Sequence, residues 1–286
     1  MRLNQGCQLA HPPTGQPHPG PIADLLEAIT HLTSKPNQST AHHPLLTNWP
    51  EIDLVLGGGA KPGGLSRGAV HEWVGLIEPA SDDAMVGERC RRTDDWLPPL
   101  TMLMHLAAGA LRADRVSGRH CVLWIGPRCW VYPPALVNRH HSTLLARSIF
   151  ISPVTVPERM WAIDVALRSR GVSAVIADAT GVRMPESRRF QLAAGAGGTL
   201  GLLVRPPREA RELSAARTRW LVTPAPSPTT EPRWTVELLR CKGVRPAPEG
   251  ARRWVVRQDH ETGDVRLVPD APDRRAAPSR PAACSA

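Results

Sequence analysis

The sequence predicts an α/β protein: a mainly parallel sheet covered on both faces, extended by antiparallel strands toward the carboxyl terminus. Three observations predict it. Short, wholly apolar runs alternate with stretches of helical period as far as Pro206, which calls for crossover connections. Beyond Pro207 the helical stretches stop, and short strand-like runs follow one another through turn-rich linkers. Both ends of the chain are rich in proline, glycine, alanine or charge, as disordered arms are.

Residues 1–20 form the first arm, and residues 21–43 a short helix with a linker. In the helix Leu25, Leu26, Ile29 and Leu32 recur at helical spacing, and SKPNQSTAHHP follows. Trp49–Leu56 (WPEIDLVL) reads as a second short helix, ended by Gly57, Gly58 and Gly59. Ala69–Val74 (AVHEWV) reads as the first core strand and Leu97–Leu111 as an apolar helix opened by its prolines. Cys121–Ile125 and Ser148–Ser152 are strands, with a helix-compatible stretch from Pro134 to Arg147 between them. Glu158–Arg168 is an amphipathic helix that turns Trp161, Val165 and Leu167 inward. Val172–Ala177 is a buried strand closed by Asp178, Glu186–Ala196 a helix with an arginine face, and Thr199–Val204 the next strand. Thr218–Val222, Trp234–Arg240, Arg253–Arg257 and Asp264–Val268 supply the antiparallel extension. The core is thus expected over residues 44–257, with a last strand and a disordered tail over residues 258–286.

Composition narrows the function. The chain has 286 residues, 42% hydrophobic and 21% charged, which excludes a wholly disordered protein. It contains no apolar run of membrane-spanning length, and its amino terminus lacks the apolar centre of a signal peptide, so a cytoplasmic location is expected. Six scattered cysteines and two His-His pairs lack the spacing of a disulfide framework or metal site. Charge is uneven: residues 1–100 carry 7 basic and 11 acidic side chains, residues 101–286 carry 28 and 15. A basic second half suits nucleic acid or an acidic protein.

A parallel sheet invites the search for a phosphate-binding loop. The run GGGAKPGG (Gly57–Gly64) has the glycines and Lys61, but it precedes the first core strand, and Pro62 stands where a magnesium-holding Ser or Thr belongs. The segment that does follow that strand, Gly75–Asp95, has no lysine and holds Glu78, Asp82, Asp83, Glu88, Asp94 and Asp95. Carboxylates there repel a triphosphate. Arg89, Arg91 and Arg92 are the cations left to replace the lysine. Asp178 stands at the carboxyl edge, where such sheets bind ligands and where a magnesium-directing aspartate is placed. A turn or capping aspartate is the plainer reading.

TNWPEIDLVLGGG (Thr47–Gly59) followed by GLSRGAVHEWVG (Gly64–Gly75) looks like the entry to a RecA-like core. With VLWIGPRCWVYPPAL (Val122–Leu136), VSAVIADATGV (Val172–Val182) and SRRFQLAAGAGGTLGLLVRP (Ser187–Pro206), the chain resembles the ImuA family, RecA-related proteins of bacterial damage-inducible mutagenesis cassettes. ARTRWLVTPAPS (Ala216–Ser227) and RWTVELLRCKG (Arg233–Gly243) are the most specific part, and the resemblance covers roughly residues 44–257.

The resemblance implies a three-layer RecA-like core, and the departures from active relatives imply lost hydrolysis. Active RecA-like ATPases carry an acidic residue after the second core strand, whereas Gly126, Pro127 and Arg128 stand here, and a cation cannot be the base. They also carry a glutamine-type sensor where Arg205-Pro206-Pro207 stands. The degenerate nucleotide site is therefore expected at Gly75, Arg89, Arg91, Arg92, Arg128 and Asp178, with no catalytic residue, metal or cofactor.

In RecA-like folds the loops after the strands ending near Asp178 and Val204 face DNA, which marks Arg183 in one, and Arg205, Arg208 and Arg211 in the other. Both loops are short for filament-type engagement. Arg188 and Arg189 extend the basic stock, and Trp220, Trp234 and Trp254, flanked by arginines, are candidates for base stacking or partner anchoring, with core packing as the plainer alternative. The implied function is a non-catalytic adaptor in error-prone translesion synthesis. Its implied partners are an ImuB-type polymerase-like protein, an error-prone replicative polymerase, RecA and DNA. The alternative is a DNA-binding ATPase with ATP and magnesium as cofactors, its triphosphate held by Arg89, Arg91 or Arg92 and its magnesium by Asp178.

Overall fold

A computed structural model describes residues 43–77, 96–114, 121–136, 142–244 and 252–269. The two arms, the expected helix at residues 21–32 and most of the segment after the first core strand, with Arg89, Arg91 and Arg92, lie outside the described residues. The strands are β1 (Ala69–Val74), β2 (Leu76–Ile77), β3 (Trp96–Leu97), β4 (Cys121–Ile125), β5 (Ser148–Ile151), β6 (Val172–Asp178), β7 (Leu200–Arg205), β8 (Thr218–Ala225), β9 (Arg233–Cys241), β10 (Arg253–Gln258) and β11 (Val265–Leu267). The helices are α1 (Pro50–Leu56), α2 (Leu100–Ala113), α3 (Ser142–Ala146), α4 (Val156–Arg168) and α5 (Met184–Gly197).

Among the described residues one nine-stranded sheet runs in the order β11-β10-β9-β8-β1-β7-β6-β4-β5, and β2 pairs with β3 in a separate ribbon. From β5 to β8 every pairing is parallel; from β8 to β11 every pairing is antiparallel. The expected extension therefore starts one strand later than the loss of helices implied, because β8 still runs parallel to β1. Register fixes which side chains face which layer. On β1, Trp73 points into the core shared with α1 and α2, and Val70 into the core shared with α4 and α5. That is the three-layer arrangement of a RecA-like core.

The ends of the elements follow from their sequence. Thr155 caps α4: its hydroxyl accepts from the Glu158 N–H, and the Glu158 carboxylate accepts from the Thr155 N–H in return. Helix α2 begins after Pro98-Pro99 rather than at Leu97, because a residue before proline is pushed out of the α region and Leu97 pairs with Leu76 in the ribbon. Within the stretch Pro134–Arg147 the described residues form a 3-10 turn, Pro133–Leu136, and the five-residue α3. Trp161 turns outward at 46% exposed; the apolar stripe of α4 is built from the smaller Ala162, Ile163, Ala166 and Leu167.

Two buried polar arrangements knit β1 to its neighbours. On the α2 side, the Ser66 carbonyl accepts from His71 Nε2–H at 2.9 Å, so Nδ1 is left to accept from the Thr218 hydroxyl at 2.7 Å. Trp220 Nε1–H donates to that hydroxyl and stacks on Trp73 with ring centroids 5.3 Å apart. On the α5 side, Glu72 accepts from Arg205, Arg219 and Ser214. The glycine run Gly57–Gly64 folds back on the end of α1, where the Asp53 carbonyl accepts from the Gly57 and Gly63 N–H groups. It is a helix stop.

Candidate functional site

The carboxyl ends of β1, β4, β6 and β7 lie on one edge, where parallel sheets of this kind hold ligands. A phosphate site there requires a loop after β1 whose N–H groups turn inward and lead directly into a helix. This chain instead runs from Gly75 into the β2–β3 ribbon. Trp96 of that ribbon is buried and lies directly over Gly75: a Cβ added at Gly75 falls 2.1 Å from the Trp96 ring. Only glycine tolerates that approach.

The next strand brings a cation to the same place. After β4, Gly126 adopts φ of 97°, and a Cβ there falls 3.0 Å from that of Asp178. The turn Pro127–Cys129 then aims Arg128 across the edge, its guanidinium 5.1 Å from the centroid of the Trp96 ring. Beside it opens a cleft of about 390 Å³, lined by Trp96, Pro98, Leu100, Arg128, Trp130 and Trp234.

Asp178 closes β6 and is 2% exposed. Its Oδ1 accepts from the Thr180 N–H at 3.0 Å and the Thr180 hydroxyl at 2.6 Å, a local turn. Its Oδ2 faces Arg159 Nη1 at 3.5 Å and Arg128 Nε at 3.9 Å. Arg159 also donates to the Thr180 carbonyl at 3.1 Å, so the turn and the cation hold each other. Gly75, Arg128 and Asp178, singled out separately in the sequence, are thus linked: Trp96 joins Gly75 to Arg128, and Arg128 faces Asp178 beside Arg159.

The loop after β7 differs from expectation. Arg205 has 0% exposure and no path to a DNA phosphate. It donates to Glu209 at 2.8 Å, Glu212 at 2.8 Å, Glu72 at 3.2 Å and the Val182 carbonyl at 2.8 Å. Burial works against its charge, but Glu72 and Glu209 outweigh it and hold the guanidinium charged more firmly than usual. Position Arg205 is the last residue of β7, so the strand alternation carries it into the α5-side core. Trp220 is likewise buried at 1%, out of reach of a base. Trp254 is half-buried, 6.5 Å from Trp220, and Trp234 is half-buried in the cleft wall.

The remaining candidates are on the surface. Arg183, Arg188, Arg208 and Arg211 are exposed, and Arg189 is exposed with its Nε 3.4 Å from Asp164. Trp96, Arg159 and Glu72 join the site beyond the residues expected from the sequence. The signal for Glu72 was present: His-Glu inside an otherwise apolar buried strand demands buried partners. For Arg159 and Trp96 no local pattern marks the contact.

No family model matches the chain. The solved structure of the RadB recombinase superposes with a TM-score of 0.50 at 13% identity, covering 78% of this chain and 99% of that one. The fold is RecA-like. Two curated relatives, each named Protein ImuA and from two strains of Caulobacter vibrioides, are 30% identical over 214 residues, 69% of this chain and 78% of theirs. The chain belongs to the ImuA family.

Proposed function

We propose that this protein is a RecA-like accessory factor that does not hydrolyse nucleotide. It acts as an adaptor for a polymerase-like partner during error-prone translesion synthesis in the DNA-damage (SOS) response. The observation that carries the reading is the state of Asp178. Both its oxygens are engaged, one by the Thr180 turn and the other facing Arg159 and Arg128, where a magnesium-directing aspartate needs a free oxygen. Trp96 over Gly75 and the cation at Arg128 point the same way. The described residues at this edge do not suit magnesium triphosphate.

With its motor chemistry replaced, the fold supplies a subunit-like surface. An ImuB-type polymerase-like protein, an error-prone replicative polymerase and RecA are the partners the family implies, and the basic second half holds DNA or a partner. Co-purification of the full chain with the polymerase-like protein tests this, with and without residues 258–286 and without added nucleotide. A stoichiometric complex that ATP and magnesium leave unchanged supports the adaptor. A complex that forms only with hydrolysable ATP refutes it.

A further inference from the structure

The loops named from the sequence are one place for DNA, yet Arg205 in them is buried and fully paired. A different set of cations is gathered elsewhere. The segment Ser214–Arg217, which leads into β8, is pinned from two sides. On one, Ser187 at the start of α5 meets Ser214 Oγ at 3.1 Å and accepts from the Ala215 N–H at 2.9 Å, which places Arg188 beside the segment. On the other, Arg240 of β9 donates to the carbonyls of Ser214 at 2.9 Å and Ala216 at 3.0 Å, and Lys242 Nζ donates to the Ala215 carbonyl. The Arg217 carbonyl accepts from the Lys242 N–H at 2.9 Å, and Arg217 Nη2 lies 3.8 Å from where a Gly243 Cβ would stand.

Arg188, Arg217, Arg240 and Lys242 thus surround one short stretch of small residues. Arg188, Arg217 and Lys242 are exposed, and among the described residues none of the four forms a salt bridge. The nearby carboxylate, Glu72, also attracts Arg240, but its ion pairs are made with Arg205 and Arg219. Burial first, then the neighbouring Arg240, Arg217 and Arg188, push the Lys242 ammonium below the usual lysine range, so the four cations are close enough to repel one another.

We infer that Arg188, Arg217, Arg240 and Lys242 form a binding surface for the phosphate backbone of nucleic acid, read without regard to sequence. This rests on the reading that the basic second half holds DNA, and it names the surface. Nucleic acid fits better than an acidic polypeptide. The floor, Ser214-Ala215-Ala216, carries no large apolar group, and protein partners draw their affinity from buried anchors, whereas phosphates need only charge and donors. Leu213 and Leu239, exposed along the chain beside it, flank the floor and do not form it. Arginine forks at Arg188 and Arg217 take two phosphate oxygens each.

The test is fluorescence anisotropy of a labelled oligonucleotide of about 20 residues, single-stranded and duplex, titrated with the full chain over a salt series. Arg188→Gln with Arg217→Gln is compared with Arg208→Gln with Arg211→Gln in the loop after β7. All four side chains are exposed, so each pair of changes is expected to leave the melting temperature unaltered. The expected result is a loss of on the order of tenfold in affinity for the first pair, with the slope of log K against log salt falling by about one to two, and a smaller effect for the second. If the first pair changes nothing while the second weakens binding, the surface is refuted and DNA binding stands. If the unaltered chain binds neither oligonucleotide at about 0.1 M salt, both fall. If poly-glutamate displaces the oligonucleotide as well as unlabelled DNA of equal charge does, the surface takes an acidic polypeptide and the inference is wrong.

Discussion

Arg159 on α4 and Asp178 at the end of β6 face each other at 3.5 Å on the carboxyl edge of the parallel strands, and the cation also donates to the Thr180 carbonyl that follows the aspartate. The aspartate is therefore part of a closed structural unit. Asp178→Asn removes the charge facing Arg159 and Arg128, and is expected to cost on the order of 2 kcal/mol in urea unfolding. In an Arg159→Met background the same change costs clearly less, because the stranded cation is gone. Equal costs in the two backgrounds would show that the pair is not coupled.

Glu72, 1% exposed, is the shared acceptor of Arg205 and Arg219. Removing one member of a buried charge network leaves its partners uncompensated, which costs roughly 3–5 kcal/mol. Glu72→Gln is expected to lower the denaturation midpoint by a corresponding amount, far more than Glu237→Gln on the half-buried face of β9. The same reasoning predicts that Arg205→Ala unfolds the chain sooner rather than selectively weakening a DNA complex; the melting curve separates the two.

His71 is wholly buried, and burial first, then Arg217, lower its pKa from 6.5 to about 4 against the opposing Ser66 hydrogen bond. The folded state thus refuses a proton that the unfolded chain accepts. Above pH 6.5 neither state binds it and His71 has no pH effect. As the pH falls from about 6.5 to about 4, stability drains by up to on the order of 3 kcal/mol, and the contribution levels off below about 4. Urea midpoints of the native chain and of His71→Asn, measured between pH 7.5 and pH 4.5, are expected to converge as the pH falls. Parallel curves would show that His71 is protonated in place.

Gly75→Ala drives a methyl group into the Trp96 ring. The ribbon has to shift, at a cost of about 1–3 kcal/mol, and Trp96→Ala in the same chain should recover part of it. Differential scanning calorimetry of the two single variants and the double variant measures that coupling. Additive losses would mean that the ring and the glycine are not in contact.

Much of the fold was legible because strands such as Val172–Asp178 are continuous apolar runs and helices such as α4 announce themselves by caps and period. Trp161 went the wrong way because hydrophobicity alone does not choose between two faces when alanines pack closer to the sheet. The site was legible in part. Asp178 and Arg128 could be placed at strand ends, and Gly75 after β1. What no local pattern carries is that Trp96 returns to Gly75 and that Arg159 reaches across from a different helix to Asp178. Arg205 shows the limit most plainly: at a strand end, one residue separates a loop facing solvent from a side chain sealed in the core.

The most direct test is a titration of the purified chain with a fluorescent ATP analogue and magnesium, paired with a phosphate-release assay on ATP and repeated with Asp178→Ala. A degenerate site gives no saturable binding and no phosphate above background in either protein. Saturable binding with turnover that Asp178→Ala abolishes would contradict it.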